Sequence, residues 1–168
     1  MLGFVEMDQT RQSGGETRTA GVITRPPLLF LAGLLIGAVL DRLLPLPVPD
    51  LDPAHWVACG LLILTGLAVA IAGIRNFMRA GTPVRTIEPT RALVTTGIHG
   101  WSRNPIYVGL FLIYAGIGIA AHSPWILILM LPLALIIRYG VVAREEAYLE
   151  RLFGDAYRDY KAHVRRWL

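Results

Sequence analysis

Between Leu93 and Gly109 the chain reads LVTTGIHGWSRNPIYVG, which concentrates side chains capable of chemistry: Thr95, Thr96, His99, Arg103, Asn104 and Tyr107, spaced by glycines. Pro105 then opens a run that stays apolar to Ala121. Proline suits the first helical position, where its missing N–H forfeits no hydrogen bond. The free N–H groups there favour an anion such as a carboxylate or phosphate. The plainer reading is an interfacial loop in which Trp101 and Tyr107 anchor the chain in lipid headgroups. A second set lies downstream. Arg138 is a charge inside an apolar stretch, where it costs about 2.5–3.5 kcal/mol on insertion scales unless paired or snorkelling to the interface. It precedes Glu145 by seven residues, nearly two α-helical turns, so the two would share a face with roughly 10 Å between them along the axis. A polar ligand fits between them. Glu145 and Glu146 can also be read as a solvated helix start, although two carboxylates among so many arginines suggest a cation to be answered.

The elements that position these groups are membrane spans. In 168 residues, 54% are hydrophobic and the mean hydropathy is +0.52, values foreign to a soluble globule. The expected fold is all-α: an integral membrane protein with about four transmembrane helices, a cytoplasmic loop and an amphipathic helical C-terminal segment. The spans are expected at 27–44, 54–74, 105–121 and 125–143, within a domain covering 25–168. The second is 21 residues long, about 30 Å as a helix, which matches the hydrocarbon thickness. Gly33 and Gly37 form a GxxxG step, a possible helix-packing face that leaves the oligomeric state unknown. His122-Ser123-Pro124 is a tight turn, so the last two spans form an antiparallel hairpin. Residues 1–24 lack periodicity and are expected to be a disordered leader.

Lys and Arg set the orientation. The linker 45–53 and the turn 122–124 contain none, whereas Arg75, Arg79, Arg85, Arg91 and Arg103 fall in the middle loop and six basic residues follow from Arg144 onward. Both termini and the large loop should therefore be cytoplasmic. The net charge of +4 reads as topology signal and lipid contact, not as a nucleic-acid surface. Cys59 is the single cysteine, so no intramolecular disulfide or CxxC pair exists, and the four histidines are too scattered in sequence to offer metal-ligand spacing.

RALVTTGIHGWSRNPIYVG followed, after a hydrophobic hairpin, by REEAYLERLFGDAYRDYKAHVRRW resembles the isoprenylcysteine carboxyl methyltransferase family and the related phospholipid methyltransferases, over about residues 54–168. The resemblance implies a membrane enzyme using S-adenosylmethionine, held between the helical hairpin and C-terminal helices spanning 144–164. It implies cofactor contacts from Arg91, Ala92, Leu93, Val94, His99, Asn104, Pro105, Ile106, Tyr107 and Glu145. Asn104 stands where the common form has histidine. In eukaryotic isoprenylcysteine enzymes an arginine one turn before the glutamate faces the substrate carboxylate; here Val141 occupies that position, leaving Arg138 or Arg144 to substitute.

Methyl transfer fits these residues on independent grounds. The donor's sulfonium would be attracted by Glu145, its carboxylate suits Arg103 or the helix N-terminus before Tyr107, and its adenine suits an aromatic wall. Transfer is an in-line displacement, so the protein mainly positions the reactants and excludes water. A carboxylate acceptor needs no base; an amine or thiol does, and His99 and Glu146 are the first candidates, with positioning the better reading of His99. The expected acceptor is lipid-like or amphipathic and arrives laterally from the bilayer. Carboxyl O-methylation, phospholipid N-methylation and thiol S-methylation stay open. Two other classes are carried alongside: an NADPH-dependent membrane reductase, and a non-enzymatic module whose arginines only set topology and bind anionic lipid.

Overall fold

The computed structural model describes residues 4–6, 25–48, 52–82, 90 and 92–168. Helix α1 covers Pro26–Leu43, α2 His55–Arg79, α3 Pro105–Ala120 and α4 Pro124–Leu135. The last continues without a break through a π-helical segment, Ile136–Val142, into α5, Ala143–Phe153; α6 is Asp155–His163. The fold is α-helical, and among the described residues strand occurs only where β1, Phe4–Glu6, pairs antiparallel with β2, Ala92–Val94. Those three residues of the expected leader are thus structured in a ladder; the rest of it lies outside the described residues.

Among the described residues three helices are long and apolar enough to cross a membrane: α1, α2 and the continuous Pro124–Phe153. The fourth, α3, has 16 residues, about 24 Å, which is short of the roughly 30 Å hydrocarbon core. It is short because its N-terminus is sunk beneath the loop that precedes it, with Pro105 buried. Helix α2 runs five residues beyond its expected end at 74, to Arg79.

In lipid, helices gain little hydrophobic energy by meeting, so close backbone contact has to hold them. Helices α2 and α3 achieve it with glycine against glycine. A Cβ at Gly66 would lie 2.6 Å from the Gly109 carbonyl oxygen, and one at Gly109 would lie 2.5 Å from that of Gly66. Gly73 admits Ile106, and Gly116 admits Ile63. The GxxxG step of α1 is occupied within the chain: Gly33 faces Tyr114 of α3 and Gly37 faces Ile126 of α4. Phe30, Tyr107, Tyr114, Ile126, Leu133, Ile137, Val141 and Val142 then form one core. On the far side of α1 and α4, Trp125 Nε1 donates to the Leu44 carbonyl at 2.7 Å and Ser123 donates to Asp41.

Gly154, at φ +55, ends α5 and turns the chain into α6. Asp155 lies inside the first turn of α6 and pairs with Arg158 at 2.5 Å. Leu93 packs with Tyr157 and Tyr160, so α6 folds back over β2.

Glycine in a helix interior lowers stability by about 1 kcal/mol relative to alanine unless close packing requires it. Gly66→Ala is expected to destabilise the detergent-solubilised protein by about 1–3 kcal/mol through overpacking against Gly109. Gly60→Ala, on the same helix with open space around it, is expected to be neutral or to stabilise by up to about 1 kcal/mol. Thermal unfolding of the two variants against wild type checks the contrast.

Candidate active site

A 3₁₀ turn, Gly97–Gly100, connects β2 toward α3 and presses His99 inward. Gly97, at φ +59, makes this possible: a side chain there would be strained and would strike Asn76. Asn76 Nδ2 donates to the Thr96 carbonyl at 2.8 Å and lies 3.4 Å from His99 Nδ1. Because the carbonyl only accepts, the Asn76 atom must be its amide nitrogen, and its second hydrogen makes His99 Nδ1 an acceptor. The proton of the neutral ring is therefore on Nε2. That atom is buried without a hydrogen-bond partner among the described residues. Burial lowers the His99 pKa from 6.5 to about 4, so the ring is neutral at pH 7.

Arg103 is pulled in the same direction. It is 8% exposed at the side chain and pairs with Glu146 at 2.9 Å, while Nη1 donates to the Lys161 carbonyl at 3.1 Å. Its Nε is buried and has no hydrogen-bond partner among the described residues. Arg166 reaches Glu146 from the other side with two hydrogen bonds, at 3.0 and 2.7 Å. Glu146 is thus locked between two arginines, and removing one member of such a buried set typically costs about 3–5 kcal/mol. The backbone supports the same closure. Arg103 N–H donates to the Arg165 carbonyl at 2.9 Å, and Asn104 Nδ2 donates to that of Arg166 at 3.0 Å. Asn104 makes no side-chain cap to α3, so that helix presents its first turn uncapped by side chain.

Glu145 is held differently. Tyr107, one turn into α3, donates its hydroxyl to Glu145 Oε1 at 2.9 Å. These groups line a cavity of about 450 Å³ between α3, β2 and the α5–α6 pair, within the 300–1,000 Å³ usual for small-molecule sites. Ala92, Leu93, Val94, His99, Arg103, Asn104, Pro105, Ile106, Tyr107, Glu145 and Glu146 are all on its wall. Arg91 lies outside the described residues. Leu149, Tyr157 and Tyr160, whose near-helical spacing marks them as covering residues, are on the wall too, together with groups the sequence did not single out: Phe77 from the extension of α2, Tyr148 from α5, and Arg25, Pro27 and Leu28 at the start of α1. Burial raises the Tyr157 and Tyr160 pKa values above the usual range, which keeps both phenols protonated. Tyr160 donates to the His99 carbonyl at 2.6 Å.

Three residues expected at the site are placed differently from what the sequence suggests. Arg138 does not share a ligand-facing surface with Glu145: it is exposed, with its guanidinium carbon 5.4 Å from the Tyr139 ring centroid. The reason is the π-helical segment, whose wider turns change the angular phase, so that seven residues no longer bring a side chain back to the same face. Arg144 is likewise exposed and off the cavity wall. Glu146 faces the cavity, but both its oxygens are taken by arginines, which disqualifies it as a free base.

The family model for phospholipid methyltransferases matches residues 54–156, well over half of the chain and all but a few of the cavity residues. The chain belongs to the phospholipid methyltransferase family. It is therefore a membrane protein of a methyltransferase family, and the resemblance to isoprenylcysteine enzymes narrows to this broader kinship. The chain is also similar to an uncharacterised protein of Haemophilus influenzae, with 62% identity over 34 residues, 20% of this chain and 54% of that one. It thus spans about half the length of that curated relative.

His99 gives this family member a pH signature. With the folded pKa depressed to about 4, the unfolded chain binds the extra proton between pH 6.5 and 4. Stability from the neutral ring is complete above pH 6.5 and is lost as pH falls toward 4, on the order of 3 kcal/mol in all. Unfolding measured at pH 7 and pH 5 should show a steeper loss for wild type than for His99→Gln, which does not titrate.

Proposed function

We propose that the protein is an S-adenosylmethionine-dependent integral-membrane methyltransferase whose acceptor is a lipid-like amphiphile bearing an amine. The observation that carries the reading is the cavity itself. In a chain of a methyltransferase family, it joins one carboxylate that is outside any ion pair among the described residues, Glu145, to two buried polar atoms without partners among them, His99 Nε2 and Arg103 Nε. Such orphaned atoms fit a polar ligand that completes their hydrogen bonding.

The chemistry the cofactor brings is a methyl group activated on a sulfonium cation. Glu145, oriented by Tyr107, would face that cation. Arg103 Nε and the start of α3 would receive a carboxylate, and His99 Nε2–H would donate to an acceptor atom of the ligand. Phe77, Tyr157 and Tyr160 supply aromatic surface for an adenine ring. The cover formed by β2, α5 and α6 excludes water, and the protein's share of catalysis is positioning.

The acceptor class follows from the cations. A carboxylate substrate needs a cation in the cavity with bonds to spare. Arg103 and Arg166 pair with Glu146, the one spare donor of Arg103, Nε, would go to the cofactor's own carboxylate, Arg138 and Arg144 are off the wall, and Val141 is fully buried in the apolar core. Among the described residues Arg25 remains, exposed at the mouth beside Pro27 and Leu28, where it would hold the phosphate of a headgroup whose amine reaches toward Glu145, the carboxylate that would take its proton. Lipid would then enter along the start of α1, with the site and both termini on the cytoplasmic side, as the arginine distribution favours.

Equilibrium binding to detergent-purified protein tests the cofactor. S-adenosylmethionine and S-adenosylhomocysteine should saturate the site, and Glu145→Ala should weaken the former about 10–100-fold, the equivalent of a charge-assisted contact. Preferential binding of NADPH would transfer the protein to the reductases. Methyl transfer to aminophospholipid vesicles, with none to a prenylated cysteine, is the outcome expected for the acceptor. Arg25→Ala should raise KM for the vesicle lipid while leaving cofactor affinity unchanged.

A further inference from the structure

At the end of the helices remote from the cavity, His55 at the start of α2 meets His122 in the turn between α3 and α4. Their Nε2 atoms are 3.1 Å apart and the rings are tilted by 42°. Two features build this meeting. His55 Nδ1 lies 2.7 Å from the Asp52 carbonyl oxygen, which only accepts, so Nδ1 carries the proton and Nε2 presents its lone pair outward. His122 adopts φ +49, the one side-chain-bearing residue with positive φ among the described residues. That left-handed conformation is uncommon outside glycine, and it closes the turn with the ring lying toward His55.

We propose that His55 and His122 form a two-histidine site for a divalent transition-metal ion of the Zn²⁺ or Cu²⁺ class. An ion at the usual 2.0–2.1 Å from each nitrogen would bridge the observed 3.1 Å separation with an N–metal–N angle of about 98°, between square-planar and tetrahedral values. The Asp52 carbonyl already makes the second-sphere hydrogen bond that fixes a histidine ligand's tautomer and orientation. His122 now supplies the proton in the Nε2 pair. On binding, that proton moves to its Nδ1 through solvent, so both rings stay neutral and no net proton is released. Among the described residues no third His, Cys, Asp or Glu converges on the pair, so water fills the remaining positions. The half-buried His55 and exposed His122 leave room for it. Bound metal would clamp the start of α2 to the α3–α4 turn, fastening the face of the bundle opposite the proposed active site.

Trp56 provides the reporter. Its ring lies 4.7 Å from that of His55 and 6.1 Å from that of His122, within range of quenching by a paramagnetic ion held between them. Untagged full-length protein in detergent is titrated with Cu²⁺ and followed by tryptophan fluorescence and electron paramagnetic resonance. One equivalent with a nitrogen-ligated signature is expected, quenching Trp56 and raising the unfolding temperature, and Zn²⁺ should compete. His55→Gln and His122→Asn, the latter tolerant of the left-handed backbone, should each weaken binding at least about tenfold while keeping the metal-free unfolding temperature. His163→Gln and Mg²⁺ serve as controls and should have no effect. Copper binding that is absent from wild type, or equally strong in both histidine variants, would overturn the site.

Discussion

Everything else in this protein hangs on the contact between Gly66 and Gly109, where two helix backbones touch with no side chain between them. Lipid offers no hydrophobic reward for pairing helices, so dispersion at short range has to serve instead. Once α2 and α3 are that close, their antiparallel register is fixed along their whole length. At one end this register places Phe77 of α2 beside His99, ring centroids 4.8 Å apart, at the mouth of α3. At the other it places His55 beside His122. Two polar constellations at opposite faces of a membrane bundle are therefore consequences of one apolar contact between them.

The cavity end is closed by charge. Glu146 brings the segment 164–168 onto the start of α3 through Arg166 while holding Arg103 from beneath. The arrangement spends two cations on one anion and leaves Glu145, the next residue, to face the cavity with a tyrosine hydroxyl as its one hydrogen-bond partner among the described residues. Adjacent glutamates thus divide the work, one ordering the protein and one left available to a ligand. Removing the Glu146 carboxylate would strand two arginines in a poorly hydrated place, which makes its role architectural even though it lies on the wall.

Much of this was readable from residue order, and the failures have physical causes. Long apolar runs identify spans because the bilayer fixes their length, and the paired motifs around Asn104 and Glu145 identify the cavity because each supplies one wall. Arg138 was misread because helical-wheel reasoning assumes α-geometry, and no residue pattern announces the π-helical stretch from Ile136 to Val142. Arg25 is distant in sequence from both motifs and enters the site only through tertiary packing, whereas Arg166 stands near the end of the second motif and reaches Glu146 across the fold of α5 and α6. His55 and His122 offer no ligand spacing because 66 residues separate them, and their proximity follows from the glycine register, which sequence spacing does not express. Gly33 and Gly37 were correctly seen as a packing face, but only coordinates reveal that its partner is the same chain.

The π-helical segment also divides one long helix between two environments. Above it, α4 is apolar nearly all round; below it, α5 must turn Glu146 and Tyr148 inward and Arg144 out. The segment works as a phase shifter, and what it shifts is set by the count of its residues more than by their identity. Exchange of one apolar residue for another at an exposed position such as Ile136 therefore costs little, whereas loss or gain of a single residue between 136 and 142 would rotate the whole covering segment off the cavity. Variation in this family should accordingly be tolerant in composition and intolerant in length at that point.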